Sequence, residues 1–175
     1  MRVALIGPRG SGKTSVARLL ADRLKLALVC VDELVEKEQG ALIAKIVETK
    51  GWEAFRQWET KCLEKALNEN EKKLVLDCGG GIVEAKVNRE ILSARLDCVV
   101  FLNGDPKTLT DRLKSEMANR PSLTDHRDEL AEMKQILSRR LPLYRQVSGL
   151  EIDTSLLTLK QVAERIMESL KLHEG

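Results

Sequence analysis

The sequence is poor in aromatic residues, in histidine and in long apolar runs. Aromatic side chains make up 3% of its 175 residues, so it offers no platform on which nucleic-acid bases could stack. Apolar runs such as 27–31 and 98–102 are far too short to cross a bilayer, and the first residues do not resemble a secretory signal. We therefore expect a cytoplasmic protein without a membrane span.

No strong charge bias and no cysteine motif is present either. Lys and Arg number 29 against 27 Asp and Glu, which gives a net charge of +2 and argues against a nucleic-acid partner. The four cysteines, Cys30, Cys62, Cys78 and Cys98, form no C-x-x-C pair and have no histidine at ligand spacing. This usage is typical of reduced, mostly buried thiols in a cytoplasmic protein.

Short apolar strands alternate with amphipathic helices along the whole chain. Strands are predicted at 2–6, 27–31, 73–77, 97–102 and 150–153. Helices are predicted at 13–24, 41–49, 51–69, 86–94, from 106, at 128–146 and at 159–172. The alternation indicates a three-layer α/β fold with a five-stranded parallel sheet. Residues 1–175 should form a single domain, in which the polar stretch 116–127 is a loop.

The first predicted strand runs directly into a glycine-rich loop, Gly7-Pro8-Arg9-Gly10-Ser11-Gly12-Lys13-Thr14. It matches G-x-x-x-x-G-K-[ST] at every fixed position and lies between a strand and a helix, as a P-loop (Walker A) must. The backbone amides would hold phosphates, Lys13 would reach the β- and γ-phosphates, and Thr14 would offer its hydroxyl to Mg²⁺. The predicted nucleotide-binding residues here are Gly7, Gly10, Ser11, Gly12, Lys13, Thr14 and Ser15.

A P-loop predicts a nucleoside triphosphate but not a reaction. GTPases carry an N-K-x-D-like motif that reads the base, and this sequence has none. The remaining length suits a small-molecule kinase, whose co-substrate would be ATP with Mg²⁺.

Five further segments occur in the order and at about the spacing of the motifs of one protein family. They are Asp32-Glu33-Leu34-Val35-Glu36, Phe55-Arg56-Gln57-Trp58-Glu59, Gly79-Gly80-Gly81, Asn119-Arg120-Pro121 and Arg140-Leu141-Pro142-Leu143-Tyr144. Together with the P-loop they resemble the shikimate kinases, which belong to the nucleoside-monophosphate-kinase-like group, from the first residue to about 153. The resemblance implies a sheet of strand order 2-3-1-4-5, a lid at about 116–127 and a monomer.

The resemblance also implies an activity, the phosphorylation of the 3-hydroxyl of shikimate by ATP. Asp32 would contact that hydroxyl as the base, Arg56 and Arg140 would bind the substrate carboxylate, and Gly79, Gly80 and Gly81 would donate amides to the substrate. Arg120 would close over the phosphates as a catalytic residue beside Lys13, and Arg112 would stack on adenine. Asp32 could also be the N-cap of the helix that follows, although the substrate role is favoured. In isolation, an arginine such as Arg56 is most often a solvated surface charge.

Three departures from the family pattern leave alternatives open. Cys30 stands where the family has an Asp that helps to hold Mg²⁺, and a thiol is a poor ligand for this metal. Asp77, at the end of a Walker-B-like strand, either replaces that carboxylate or orders the glycine loop. Residues 155–158 lack the family's adenine-contacting turn. The rival functions are a kinase for another hydroxy acid, such as gluconate, and a nucleotide-binding regulatory module without catalysis.

Overall fold

The computed structural model describes residues 1–70, 72–117 and 129–173. The strands are β1 Arg2–Ile6, β2 Ala27–Cys30, β3 Leu74–Asp77, β4 Cys98–Asn103 and β5 Leu150–Asp153. The helices of these ranges are α1 Lys13–Leu24, α2 Val31–Gln39, α3 Ile43–Glu69, α4 Lys86–Arg95, α5 Pro106–Met117, α6 Glu129–Val147 and α7 Leu159–His173.

The strands form one parallel sheet in the order β2-β3-β1-β4-β5, which confirms the expected architecture. Alternate residues of each strand face opposite sides, so the apolar core is divided in two. One cluster packs beneath α2, α3, α4 and α6 and includes Ile6, Leu76 and Phe101. The other packs beneath α1 and α7 and includes Leu5 and Val100.

The second strand is shorter than predicted. Residue 31 was expected to end the second strand, but Val31 is the first residue of α2, with Cys30 as the N-cap residue. Asp32 is therefore inside the helix, and the N-cap interpretation of Asp32 is wrong. The two helices expected at 41–49 and 51–69 are both present within α3, where they meet at a kink at Gly51, whose φ of 82° and ψ of 168° are not helical.

Local signals at two helix starts are borne out by hydrogen bonds. Asp105 Oδ2 accepts from the Thr108 amide at 3.0 Å, just before Pro106 opens α5. Thr158 and Gln161 form the expected capping box at α7, with N to Oε1 and N to Oγ1 distances of 2.9 and 3.3 Å. Within the described ranges, no helix combines the length and apolar character needed to span a membrane.

Candidate active site

The P-loop lies at the carboxyl end of β1, where ligands bind in open parallel sheets. Gly7, Gly10 and Gly12 all have positive φ, at 143°, 78° and 85°. A Cβ at Gly7 would stand 2.3 Å from the Leu102 carbonyl oxygen, and one at Gly10 would stand 2.5 Å from that of Leu109. All three positions therefore favour glycine by their backbone conformation, and Gly7 and Gly10 also by the close approach of the neighbouring backbone.

Lys13 is the buried cation of this loop. Its Nζ donates to the Pro8 carbonyl at 2.9 Å, and Ser11 Oγ donates to the same oxygen at 2.8 Å. Burial lowers the pKa of Lys13, while the charges of Asp77 and Asp32 oppose that effect. Thr14 and Ser15 lie exposed in the first turn of α1. The amine is thus held across the loop on which phosphates would sit.

Asp77 lies next to the P-loop threonine. Thr14 Oγ1 donates to Asp77 Oδ2 at 2.6 Å, and strand register pairs Asp77 with Cys30 on the neighbouring strand. Burial raises the pKa of the Cys30 thiol to about 11, although a backbone hydrogen bond from Glu33 lowers it, so the thiol stays protonated at neutral pH. A pocket at this point is lined by Thr14, Arg18, Leu28, Cys30, Glu33 and Asp77.

Asp32, in the first turn of α2, presses its carboxylate against the triple-glycine loop. A Cβ at Gly79 would stand 2.4 Å from Asp32 Oδ1. That oxygen is buried and has no hydrogen-bond partner in the described part of the chain. Burial raises the pKa of Asp32; the charge of Lys13 acts against it, and that of Asp77 reinforces it. A buried oxygen without a partner is costly, and a substrate hydroxyl would relieve that cost.

Arg56, on α3, reaches the same loop from the other side. Its Nη1 bonds Glu59 Oε2 at 2.7 Å, and a Cβ at Gly81 would stand 1.9 Å from its Nη2. Glu59 is fully buried, and burial raises its pKa to about 7 although the charge and hydrogen bond of Arg56 lower it. The guanidinium also lies 5.6 Å from the ring centroid of Trp52. The Arg56 guanidinium therefore occupies the space that a side chain at position 81 would take.

Arg140, on α6, completes the ring of charges around the loop. Its Nη1 donates to the Gly80 carbonyl at 3.3 Å, and its Nε donates to Glu84 Oε1 at 2.6 Å. The Tyr144 hydroxyl donates to the same Gly80 carbonyl, and burial raises its pKa to about 12, so it keeps that proton. The structure thus brings Asp32, Arg56 and Arg140 together around Gly79–Gly81.

Comparison with known proteins matches the chain over nearly its full length. The family model for shikimate kinase matches residues 9–171. A shikimate kinase of Dehalococcoides mccartyi is 38% identical, covering 99% of this chain and 95% of that protein. One of Symbiobacterium thermophilum is 36% identical, covering 98% and 97%. The chain belongs to the shikimate kinase family.

Solved structures agree with this assignment. Shikimate kinase from Acinetobacter baumannii, in complex with shikimate, aligns with a TM-score of 0.85 at 33% identity, covering 97% of this chain and 92% of that one. Shikimate kinase from Aquifex aeolicus aligns with a TM-score of 0.79 at 29% identity, covering 98% and 96%. The chain is accordingly a kinase of a family that uses ATP as co-substrate.

The resemblance to shikimate kinases predicted that Arg112 stacks on adenine. In the structure, the Arg112 side chain forms hydrogen bonds to residues at the edge of the P-loop. Its Nη2 donates to the Thr154 carbonyl at 2.7 Å, and its Nη1 donates to Thr154 Oγ1 at 3.1 Å and to the Gly10 carbonyl at 3.4 Å. It therefore connects the P-loop with the turn that follows β5. Arg120 and the lid expected around it lie outside the described residues, apart from 116 and 117 at the end of α5.

The carboxylate partners of Arg56 and Arg140 could hardly be predicted from the sequence. Glu59 was visible as the last residue of a motif, but its complete burial was not. Glu84 was not predicted at all, because an acidic residue in a glycine-rich turn is usually a solvated charge. It becomes a candidate because α6 brings Arg139 and Arg140 to it, from 55 and 56 residues farther along the chain.

Proposed function

We propose that this chain phosphorylates the 3-hydroxyl of shikimate with ATP, giving shikimate 3-phosphate and ADP. The observation that carries the proposal is the arrangement around Gly79–Gly81, where one unpartnered carboxylate oxygen of Asp32 and two guanidinium groups lie against the same loop. This arrangement suits a small molecule that bears both a carboxylate and a hydroxyl. The relative solved with shikimate bound, at 33% identity, supports the same acceptor.

Each acceptor residue has a role that its contacts support. Arg56 and Arg140 bind the acceptor carboxylate, since planar guanidinium groups form parallel hydrogen bonds to it. Asp32 accepts a hydrogen bond from the hydroxyl that is phosphorylated and takes up its proton during transfer. The amides of the loop Gly79–Gly81 add further donors to the acceptor. The proposed acceptor site requires no residue from a second copy of the chain, and we propose that the enzyme acts as a monomer.

The nucleotide site works mainly by positioning and by charge. Amides of Gly10, Gly12 and Lys13 point their protons at phosphate oxygens, and the dipole of α1 favours the same charge. Lys13 leaves the Pro8 carbonyl and contacts the transferring phosphoryl group, while Arg120 closes over it. Arg112 borders the adenine position, and Ser15 continues the phosphate-facing turn. Closure excludes water, so that the acceptor rather than water receives the phosphoryl group.

We propose that Thr14 and Asp77 hold Mg²⁺. Both offer hard oxygen atoms, which this cation prefers, and the Thr14 hydroxyl donates its proton to Asp77 and so keeps lone pairs for the metal. In the described ranges no group of three metal-ligating side chains occurs. Phosphates and water would have to supply the remaining ligands of the cation. When bound, the cation neutralises charge on the phosphates. Asp77 would thus take over the function of the carboxylate replaced by Cys30.

Removal of the carboxylate at position 77, followed by introduction of one at the paired position 30, tests the metal proposal. Asp77→Asn keeps a hydrogen-bond acceptor for Thr14 but loses the charge, and we expect about tenfold weaker Mn²⁺ binding to the ADP complex, followed by electron paramagnetic resonance. Adding Cys30→Asp should restore most of the affinity, because the strand register places that carboxylate beside position 77. Unchanged Mn²⁺ affinity in Asp77→Asn would leave Asp77 only a loop-ordering role.

The acceptor is tested by ADP formation from Mg-ATP with shikimate, with gluconate and with neither. We expect turnover that depends on shikimate and a background rate without acceptor. Turnover with gluconate alone would assign the chain to another hydroxy acid. Thermal stabilisation by ATP but not by shikimate, together with no turnover, would favour the regulatory module.

We also propose a cytoplasmic location. The four cysteines are free thiols, and a reducing compartment keeps thiols in this form.

A further inference from the structure

Glu84 lies three residues after the triple-glycine loop and binds both arginines of the α6 pair. One of its oxygens, Oε1, accepts from Arg140 Nε at 2.6 Å and from Arg139 Nη2 at 2.7 Å. The Arg140 side chain is 15% exposed and that of Arg139 is 65% exposed. Exposed ion pairs contribute little, so the energetically important contact is the one to Arg140.

The backbone under Glu84 is fixed by two residues of α4. Asn88, which is fully buried, donates from Nδ2 to the Ile82 carbonyl at 3.1 Å. Arg89 Nη1 donates to the carbonyls of Val83 and Glu84 at 2.7 and 3.1 Å. Because three consecutive carbonyls are anchored, the Glu84 carboxylate projects from a fixed point and not from a solvated turn.

The contacts of Arg140 use specific edges of its guanidinium group. The Nε–H group donates a hydrogen bond to the Glu84 carboxylate. One N–H group of Nη1 donates to the Gly80 carbonyl oxygen, with an N to O distance of 3.3 Å. The terminal fork of Nη1 and Nη2 is then the edge that can receive a planar carboxylate in two parallel bonds. Glu84 fixes the plane of that fork relative to the glycine loop.

Arg56, the other arginine proposed to bind the substrate carboxylate, is likewise paired with a carboxylate of the protein. Arg56 donates to Glu59 at 2.7 Å, so each guanidinium group has its own carboxylate partner. Burial opposes ionisation of Glu84, but the hydrogen bond and charge of Arg140, with the charges of Arg56 and Arg139, outweigh it and lower its pKa. Glu84 therefore keeps its charge at the pH at which the enzyme would work.

We propose that Glu84 is a positioning residue that orients Arg140 toward the acceptor carboxylate. This inference rests on the proposed function, because it requires an acceptor that bears a carboxylate. It predicts that loss of Glu84 weakens acceptor binding without touching the nucleotide site.

Steady-state kinetics of Glu84→Ala and Glu84→Gln test the proposal. We expect Glu84→Ala to raise the KM for shikimate about tenfold, with less than a twofold change in kcat and in the KM for ATP. Glu84→Gln, which keeps an acceptor oxygen without the charge, should show a smaller increase. Arg139→Ala is the matched control, because it removes the exposed partner and leaves the bond to Arg140, and it should leave the KM for shikimate unchanged.

A cycle with Arg140→Ala separates positioning from general support of the fold. In that background, Glu84→Ala should change the KM for shikimate by less than twofold, since its target is gone. An additive effect, an equal rise in the KM for ATP, or a lower KM for shikimate in Glu84→Ala would each overturn the proposal. If the wild-type protein shows no turnover with shikimate, both the proposed function and this inference are wrong. If the wild-type protein is active and Glu84→Ala has unchanged kinetics, only the inference is wrong.

Discussion

Replacement of Asp32 by asparagine is expected to lower kcat by about 10²–10⁴-fold, the usual contribution of a positioned general base. The amide keeps the shape of the side chain but cannot take up the proton of the attacking hydroxyl. Since Asp32 lies against Gly79 and not on the phosphate loop, the KM for ATP should change by less than about twofold. Initial rates with varied ATP and varied shikimate measure both parameters.

The pH profile adds a readout that a misfolded variant would not reproduce. Burial raises the pKa of Asp32, so the base is protonated at acidic pH and kcat/KM should rise as pH increases through its pKa. This acid limb should be lost from the residual activity of Asp32→Asn. Asp22→Asn, at a side chain that is 81% exposed, removes the same charge from the surface and should behave as wild type. A variant with full activity or an unaltered acid limb would show that Asp32 is not the base.

Replacement of Arg56 by alanine is expected to raise the KM for shikimate about 100-fold, because it removes a charge-assisted, paired contact with the acceptor carboxylate. The KM for ATP should change much less, since Arg56 belongs to the acceptor side of the glycine loop. Initial-rate kinetics with each substrate varied in turn measures both values. If the KM for ATP changes most, Arg56 has been assigned to the wrong substrate.

The same variant has a predictable cost in stability. It leaves Glu59, whose side chain is 0% exposed, without its cation, and a broken buried pair costs about 3 kcal/mol of the free energy of unfolding. The pKa of Glu59 in the folded protein, about 7 and higher still without Arg56, lies above its value of 4.5 in the unfolded chain. A carboxyl group with a raised pKa favours folding at low pH and loses that contribution as pH rises through the folded value.

The stability loss in Arg56→Ala should consequently be larger at pH 8 than at pH 6, as measured by urea unfolding. Arg56→Ala/Glu59→Gln is the matched control, because it also removes the buried charge. It should regain most of the stability while the KM for shikimate stays high. Recovery of both properties together would show that Arg56 acts through folding and not through the acceptor.

Local sequence predicted much of the fold and part of the site. The P-loop could be identified because its chemistry resides in consecutive residues whose backbone conformation depends on glycine. The five strands were visible as short apolar runs, and the capping box at Thr158 was visible because it involves residues three apart. Asp32, Arg56 and Arg140 could be selected because each lies within a short motif.

Contacts between distant segments could not be predicted in the same way. The sequence suggested Asp77 as a replacement for the carboxylate missing at position 30, but its pairing with Cys30 depends on the register of β2 and β3. Its contact with Thr14 depends on the packing of α1 against the sheet. The space at position 81 is taken by the Arg56 side chain, 25 residues earlier, and this contact follows from how α3 packs against the glycine loop. Asp32 was a possible N-cap until the helix boundary placed Cys30 there.

The sequence by itself therefore determined the fold class and the phosphate-binding loop and selected the candidate reacting side chains, because these depend on local periodicity and on short motifs. The tertiary structure alone decided which side chains hold the reacting ones in place. Glu59 holds Arg56 from within a fully buried position, and Glu84 holds Arg140 across more than 50 residues of chain. Such partners are set by how helices pack on the sheet, and packing depends on contacts between segments that no local pattern encodes.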